Sequence, residues 1–240
     1  MKKILSILTL IGFGLSTTAQ DIKIAPEVGG TYQTMLQKLN GATFETQFQT
    51  GFRMGGNVDI GFNKNFSLQT GVFLNTNAGT ESYHEKYYSL GSGLPTSDQD
   101  SRRYSITYLQ VPVYALYKTG KEFDDPHFFV GAGPYFAAAI GGRFQQEYTN
   151  ILNGNERTNR KDDGISIGNE KKDQIRPFDL GVQATLGYEL PIGLYFRAFY
   201  GVGLLNTAPG GGSENNFRNH GGGITVGFFF EMTHKNSWER

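Results

Sequence analysis

From Phe48 to Phe62 the side chains alternate without a break. Phe48, Thr50, Phe52, Met54, Gly56, Val58, Ile60 and Phe62 occupy the even positions, while Gln49, Gly51, Arg53, Gly55, Asn57, Asp59 and Gly61 occupy the odd ones. One face is apolar and the other carries charge, amide and glycine, a period of two that belongs to a strand. A helix would scatter Arg53 and Asp59 among the aromatic rings. The same alternation recurs over 178–188, 194–202 and 224–233, and in weaker form over 22–36, 66–77, 104–118 and 127–145. The pattern predicts an all-β, eight-stranded antiparallel up-and-down barrel, with most strands long enough for a tilted membrane crossing of roughly 9–11 residues.

The connections carry a second signal. Asn63–Asn65 and Glu189–Gly193 read as tight turns and Thr119–Pro126 is only slightly longer, whereas polar stretches fill 37–47, 84–103, 146–175 and 206–221. Short and long connections alternate, as periplasmic turns and extracellular loops do in outer-membrane barrels. An even strand number then leaves both termini on the periplasmic side.

Alternation alone does not say which face points outward. A soluble ligand-binding barrel alternates too, with its apolar face lining the cavity. An eight-stranded barrel is just wide enough inside for side chains or one small ligand. The apolar face offers too many Phe, Leu and Tyr side chains for that space, and the strands show few outward Lys or Glu. The apolar face is therefore assigned to lipid. Phe62, Phe66, Tyr117, Phe128, Tyr188, Phe196 and Phe230 all fall near the short-turn ends on that face, as an interfacial aromatic girdle would.

The other face then lines the lumen. It carries Lys23, Glu27, Arg53, Asp59, Arg143, Asp179, Arg197 and Glu231, balanced in sign. Buried charges are costly unless paired, so the set reads as an ion-pair network that plugs the barrel. Arg197 and Glu231 are expected near one another, with Glu231 also reaching Lys23 across the closing seam. The alternative is a selectivity ring in a small passive channel.

The N-terminus adds an address. Lys2 and Lys3, an apolar run from Ile4 to Leu15 and the small residues Ser16–Ala19 read as an export signal over 1–19, leaving 20–240 as the barrel domain. The apolar run is shorter than a spanning helix needs. Without Lys2 and Lys3, the 22 basic residues fall to 20 against 22 acidic ones, so the remainder is close to neutral and lacks the basic excess expected for nucleic acid. There is no cysteine, so stability does not rest on disulfides. Mean hydropathy is negative, as expected where only alternate residues meet lipid.

Chemistry is sparse. His84, His127, His220 and His234 lack metal-ligand spacing. Tyr83-His84-Glu85 with Asp98 and Asp100 is the only arrangement suggesting a rim-site hydrolase, and it reads more simply as a solvated loop. No nucleophile elbow or H-E-x-x-H occurs. The glycine pairs Gly131/Gly133 and Gly201/Gly203 lie in strands, with no helix behind them to cradle phosphate. Asp162-Asp163-Gly164 lacks calcium-loop spacing. No catalytic residue, cofactor or metal is expected. Outer-membrane lipid is the expected partner, and a protein partner would engage the outer loops or the tail Thr233–Arg240 with its lone Trp238.

Ala19-Gln20, the stretch Tyr108-Leu109-Gln110-Val111-Pro112 and the stretch Phe129-Val130-Gly131-Ala132-Gly133-Pro134-Tyr135 resemble the PorT-like outer-membrane β-barrel family of Bacteroidota. The resemblance runs over essentially the whole chain after the signal. It implies an outer-membrane barrel and, since the founding member is linked to type IX protein secretion, an accessory role in secretion. It brings no catalytic residues. The chain departs from the usual barrel pattern in continuing past its last strand instead of ending on an aromatic residue.

Overall fold

The computed structural model describes residues 21–39, 42–45, 47–88, 95–120, 126–152, 155–170, 172–209 and 216–232, with side chains described except at 21, 37–39, 42–45, 77–98, 100 and 152. Every regular element among them is a strand. In chain order these are β1 (Asp21–Leu39), β2 (Ala42–Glu45), β3 (Gln47–Gly61), β4 (Phe66–Tyr88), β5 (Pro95–Lys118), β6 (His127–Leu152), β7 (Asn155–Gly164), β8 (Phe178–Glu189), β9 (Leu194–Gly203), β10 (Asn216–Phe228) and β11 (Phe230–Glu231).

Eight of these strands form a ring. Neighbours pair antiparallel in the order β10-β9-β8-β6-β5-β4-β3-β1, and β1 closes on β10 from Glu27↔Gly227 to Lys38↔Asn216. Beyond Phe229, β11 continues the seam through Lys23↔Glu231. Closure satisfies the backbone groups that an open edge would expose to lipid. β2 and β7 lie outside the ring, pairing with β1 and β6.

The short turns are built from local chemistry. Asn63 Oδ1 accepts from the backbone N–H of Asn65 and of Phe66, each at 2.9 Å, tightening the β3–β4 connection. At the β8–β9 turn the Gly193 N–H donates to the Leu190 carbonyl at 2.9 Å, with Gly193 at φ 85°, a conformation natural to glycine.

The burial pattern follows the sequence alternation. Phe52 and Met54 are exposed on the outer wall while Arg53 is fully buried between them. Along β8 and β9, Val182, Leu186, Phe196 and Tyr200 face out, and Gln183, Thr185, Arg197 and Phe199 face in. The apolar face is thus the outer surface, as a lipid-facing barrel requires. β5 follows a less obvious rule, because both of its faces are apolar: Ile106, Tyr108, Tyr114 and Leu116 are buried, and Leu109 and Tyr117 are exposed.

Two expectations need correction. The stretches 84–103 and 146–175 are largely strand rather than loop, since β4 and β5 stay paired to Tyr88↔Pro95 and β6 turns back along β7 to Leu152↔Asn155. Above the barrel neither face meets hydrocarbon, so backbone ladders persist without alternating side chains. Arg143, expected in the lumen, is exposed. The β5–β6 register shifts between Thr107↔Gly141 and Tyr108↔Ala139, leaving Ile140 as an extra residue. That bulge exchanges the faces of the following residues, so Phe144 is buried and Arg143 faces out.

Candidate functional site

The inward side chains form three tiers. At the short-turn end, Lys23 Nζ lies 3.1 Å from Glu189 Oε1, and His127 Nε2 lies 3.2 Å from Glu189 Oε2. Beside them Lys118 Nζ lies 3.1 Å from Asp59 Oδ2, which also accepts from Gln69 Nε2 at 3.2 Å. A vestibule of about 380 Å³ lined by Lys23, Glu189, Phe229, Glu231 and the 190–193 turn lies against this tier.

The middle tier is organised around Glu27. Its Oε2 accepts from the Tyr195 hydroxyl at 2.6 Å and from Asn57 Nδ2 at 3.1 Å, and lies 3.2 Å from Arg197 Nη1. Arg53 Nε is 3.7 Å from Glu27 Oε1, and Arg53 Nη1 donates to Gln110 Oε1 at 2.8 Å. The Arg53 guanidinium also packs on aromatic faces, 3.9 Å from the Phe73 ring centre and 4.5 Å from that of Phe199. Arg197 donates to Gln69 and sits among the rings of Phe129, Tyr195 and Tyr114. One carboxylate thus serves two guanidinium groups, and ring faces supply further cation–π attraction.

Amides and hydroxyls dominate the upper tier. Gln33 Nε2 donates to Asn75 Oδ1 at 3.1 Å, and Asn75 Nδ2 to Gln110 Oε1 at 3.3 Å. Asp179 Oδ2 accepts from the Tyr135 hydroxyl at 3.2 Å and from Asn219 Nδ2 at 3.0 Å, while Tyr114 donates to Gln183. A cavity of about 20 Å³ in this tier, lined by Gln33, Asn75, Gln110, Gln183 and Asn219 among others, is near the size of one water molecule.

Glycine makes room for the rings. A methyl group added at Gly227 would overlap the Tyr195 ring, one at Gly187 the Phe129 ring, and one at Gly181 the Tyr135 ring. An eight-stranded lumen therefore accepts large aromatic side chains where the facing wall is bare backbone. The rings of Tyr195 and Phe229 pack tilted against each other, 4.6 Å between centres, in this interior.

Of the charged residues expected inside, Lys23, Glu27, Arg53, Asp59, Asp179 and Arg197 are buried in the lumen. Glu231 sits at the short-turn edge with its side chain 54% exposed, 3.8 Å from Lys23 across the seam. Arg197 meets Glu27 rather than Glu231. Lys118, His127 and Glu189 complete the lowest tier without having been anticipated. Lys118 and Glu189 extend the inward phase of their own strands, so alternation carried one step further would have found them. The rings of Phe62, Phe66, Tyr117, Phe128, Phe196 and Phe230 are exposed at the short-turn end, and Tyr188 is half-buried there. Phe128 and Tyr188 pack with ring centres 4.7 Å apart, and Phe66 and Tyr117 with centres 5.3 Å apart.

The remaining histidine readings divide. His220 is buried beside the Phe48 ring, 5.8 Å between centres. The side chains of Tyr83, His84, Glu85, Asp98 and Asp100 lie outside the described residues, as do residues 1–20, Gly210–Ser213, His234 and the tail with Trp238. Among the described residues no group of three or more His, Cys, Asp or Glu side chains is arranged to hold a metal ion.

Three solved structures similar to this chain are bacterial surface or outer-membrane proteins. Ail of Yersinia pestis, solved with the heparin analogue sucrose octasulfate, is 12% identical, with 88% of this chain and 99% of that one covered and a TM-score of 0.36. The N-terminal β-barrel domain of Pseudomonas aeruginosa OprF is 13% identical over 88% of this chain and 97% of its own, with a TM-score of 0.32. Neisserial surface protein A is 10% identical over 89% of this chain and 100% of its own, with a TM-score of 0.37. No curated protein matches the sequence. The family described as outer membrane protein beta-barrel domain matches residues 18–207. A closed antiparallel ring with an apolar outer wall and most of its length inside that match leaves one assignment: the chain belongs to the outer membrane protein beta-barrel domain family and resides in the outer membrane.

Proposed function

We propose that the protein is a non-enzymatic barrel whose lumen is plugged by its own side chains, serving as a structural or interaction protein that presents the β4–β5 and β6–β7 hairpins outside the cell. The observation that carries this reading is the Glu27 centre, where groups from β1, β3 and β9 meet across the lumen axis at hydrogen-bonding distance. Among the described residues, four lumen cations (Lys23, Arg53, Lys118, Arg197) and four lumen carboxyl side chains (Glu27, Asp59, Asp179, Glu189) are buried. A balanced, hydrogen-bonded set holds itself together, whereas a selectivity ring needs one sign and an open axis. The exposed rings from Phe62 to Phe230 act in this reading as the periplasmic girdle, and residues 1–19 are removed on export. Planar-bilayer recording of the refolded chain tests the plug: no stable porin-sized step is expected, and a large sustained conductance would replace the plug with a channel.

The resemblance to PorT-like barrels extends the proposal to an accessory role in protein secretion, through the outer hairpins or the C-terminal tail. Deleting the gene and assaying secreted protein tests that part separately. Unchanged secretion would leave a structural barrel and remove the accessory role.

A further inference from the structure

The bulge at Ile140 places a charge where the barrel wall leaves the membrane. Below it, the outer face of β5 and β6 is apolar, with Leu109, Phe128, Val130, Phe136 and Ile140 exposed. Above it, Tyr104 and Phe144 turn inward and pack together with ring centres 5.0 Å apart. The alternate residues Arg103 and Arg143 therefore point outward, and both are exposed. Arg143 pairs with Ser105 and Arg103 with Gln145, so the arginines are diagonal neighbours on one face, roughly 7–8 Å apart at the backbone.

Their height suits a headgroup layer. Arg143 lies three residues beyond Ile140, about 10 Å along the strand at ~3.3 Å per residue and less along the membrane normal once the strand tilts. The interfacial layer of a bilayer occupies roughly the 5–8 Å outside the hydrocarbon on each side. Of the two nearest carboxylates, one is held in an ion pair and the other in a hydrogen bond. Glu147 pairs with Arg160 at 2.9 Å, and Asp162 accepts from Gln145 at 3.1 Å. Among the described residues, neither Arg103 nor Arg143 has an ion-pair partner. A guanidinium pair with no direct ion pair, immediately above a lipid-facing wall, is suited to phosphate, which guanidinium binds in a planar, bidentate manner.

We infer that Arg103 and Arg143 form a binding site for the phosphate of an outer-leaflet lipid headgroup, with the lipid's acyl chains lying on the Phe136–Ile140 wall beneath. The bulge thus has a use: it moves Arg143 from the lumen phase of its strand to the membrane phase. The site does not depend on whether the lumen conducts, so the bilayer recording and the lipid experiment fail independently.

The test is lipid retention on the refolded full chain in neutral detergent, read by native mass spectrometry. The probes are bisphosphorylated lipid A, the same lipid without its phosphates, and inorganic phosphate as competitor. The wild type should retain the phosphorylated lipid, and the R103Q/R143Q pair should bind it roughly 10- to 30-fold more weakly, each surface arginine contributing on the order of a few-fold to tenfold. Unheated gel mobility of the double variant checks that its barrel is closed. Equal retention by the two proteins would overturn the site, as would equal retention of phosphorylated and dephosphorylated lipid by the wild type, an arm that needs no variant. Displacement of the lipid by millimolar inorganic phosphate would assign the arginines to free phosphate instead.

Discussion

The Glu27–Arg197 pair in the lumen and the Glu147–Arg160 pair on the outer hairpin differ little in length, at 3.2 Å and 2.9 Å, yet they occupy opposite environments. The first is buried by the barrel wall and shared with Arg53, Tyr195 and Asn57. The second stands in solvent on a pair of strands that have left the barrel. Inside, each ion has lost water and is held by what surrounds it, so removing one partner strands the other. Outside, water replaces whatever partner is lost. The contrast teaches that length alone says little about what an ion pair contributes.

Substitution at Glu27 should break the comparison most visibly. Glu27→Gln keeps the volume but leaves Arg53 and Arg197 without their shared counter-charge. Loss of a partner from a buried pair costs about 3–5 kcal/mol, and a drop of that size is expected in the denaturant midpoint read by unheated gel mobility. A shift below about 1 kcal/mol would show that water reaches the lumen centre and would count against the plug.

The second contrast concerns glycine. Gly227→Ala forces a methyl group into the Tyr195 ring, which itself holds Glu27. Overpacking of that kind costs about 1–3 kcal/mol, and the same midpoint measurement should show it. Gly164→Ala, on the outer hairpin with nothing within 4 Å of the added carbon, should stay within about 0.5 kcal/mol of wild type. Equal effects would mean that the lumen repacks as freely as the surface.

How much of this was legible in sequence divides along the same line. Where a strand separates lipid from lumen, its alternation is enforced by two unlike environments, and Phe52/Arg53/Met54 announces strand, face and burial together. The same logic places Lys23, Glu27, Asp59 and Arg197 inside. It misleads at Arg143, because one extra residue at Ile140 reverses every later face and leaves no mark in the composition. Above the barrel the enforcing contrast disappears, so Asn155–Gly164, exposed on both faces, reads as loop although it pairs along its whole length with β6. Partners such as Gln69 for Arg197 or Gln110 for Arg53 depend on register and curvature across the ring, which bring together residues that no spacing along the chain connects.

Salt provides the finest test of the two environments. Arg160→Ala removes the outer partner of Glu147, and an exposed pair of this kind contributes about 0–1 kcal/mol. At ~1 M salt the screening length falls to roughly 3 Å, against roughly 10 Å at 0.1 M, so whatever small difference separates Arg160→Ala from wild type should disappear. The deficit of Glu27→Gln should survive the same titration, because Glu27, Arg53 and Arg197 are almost wholly buried and the packing around them keeps counter-ions away. Measured together across a salt series, the two variants should give one flat and one vanishing difference. If the Glu27→Gln deficit also faded with salt, mobile ions would be reaching the Arg53–Glu27–Arg197 centre, and an open axis would have to replace the packed one.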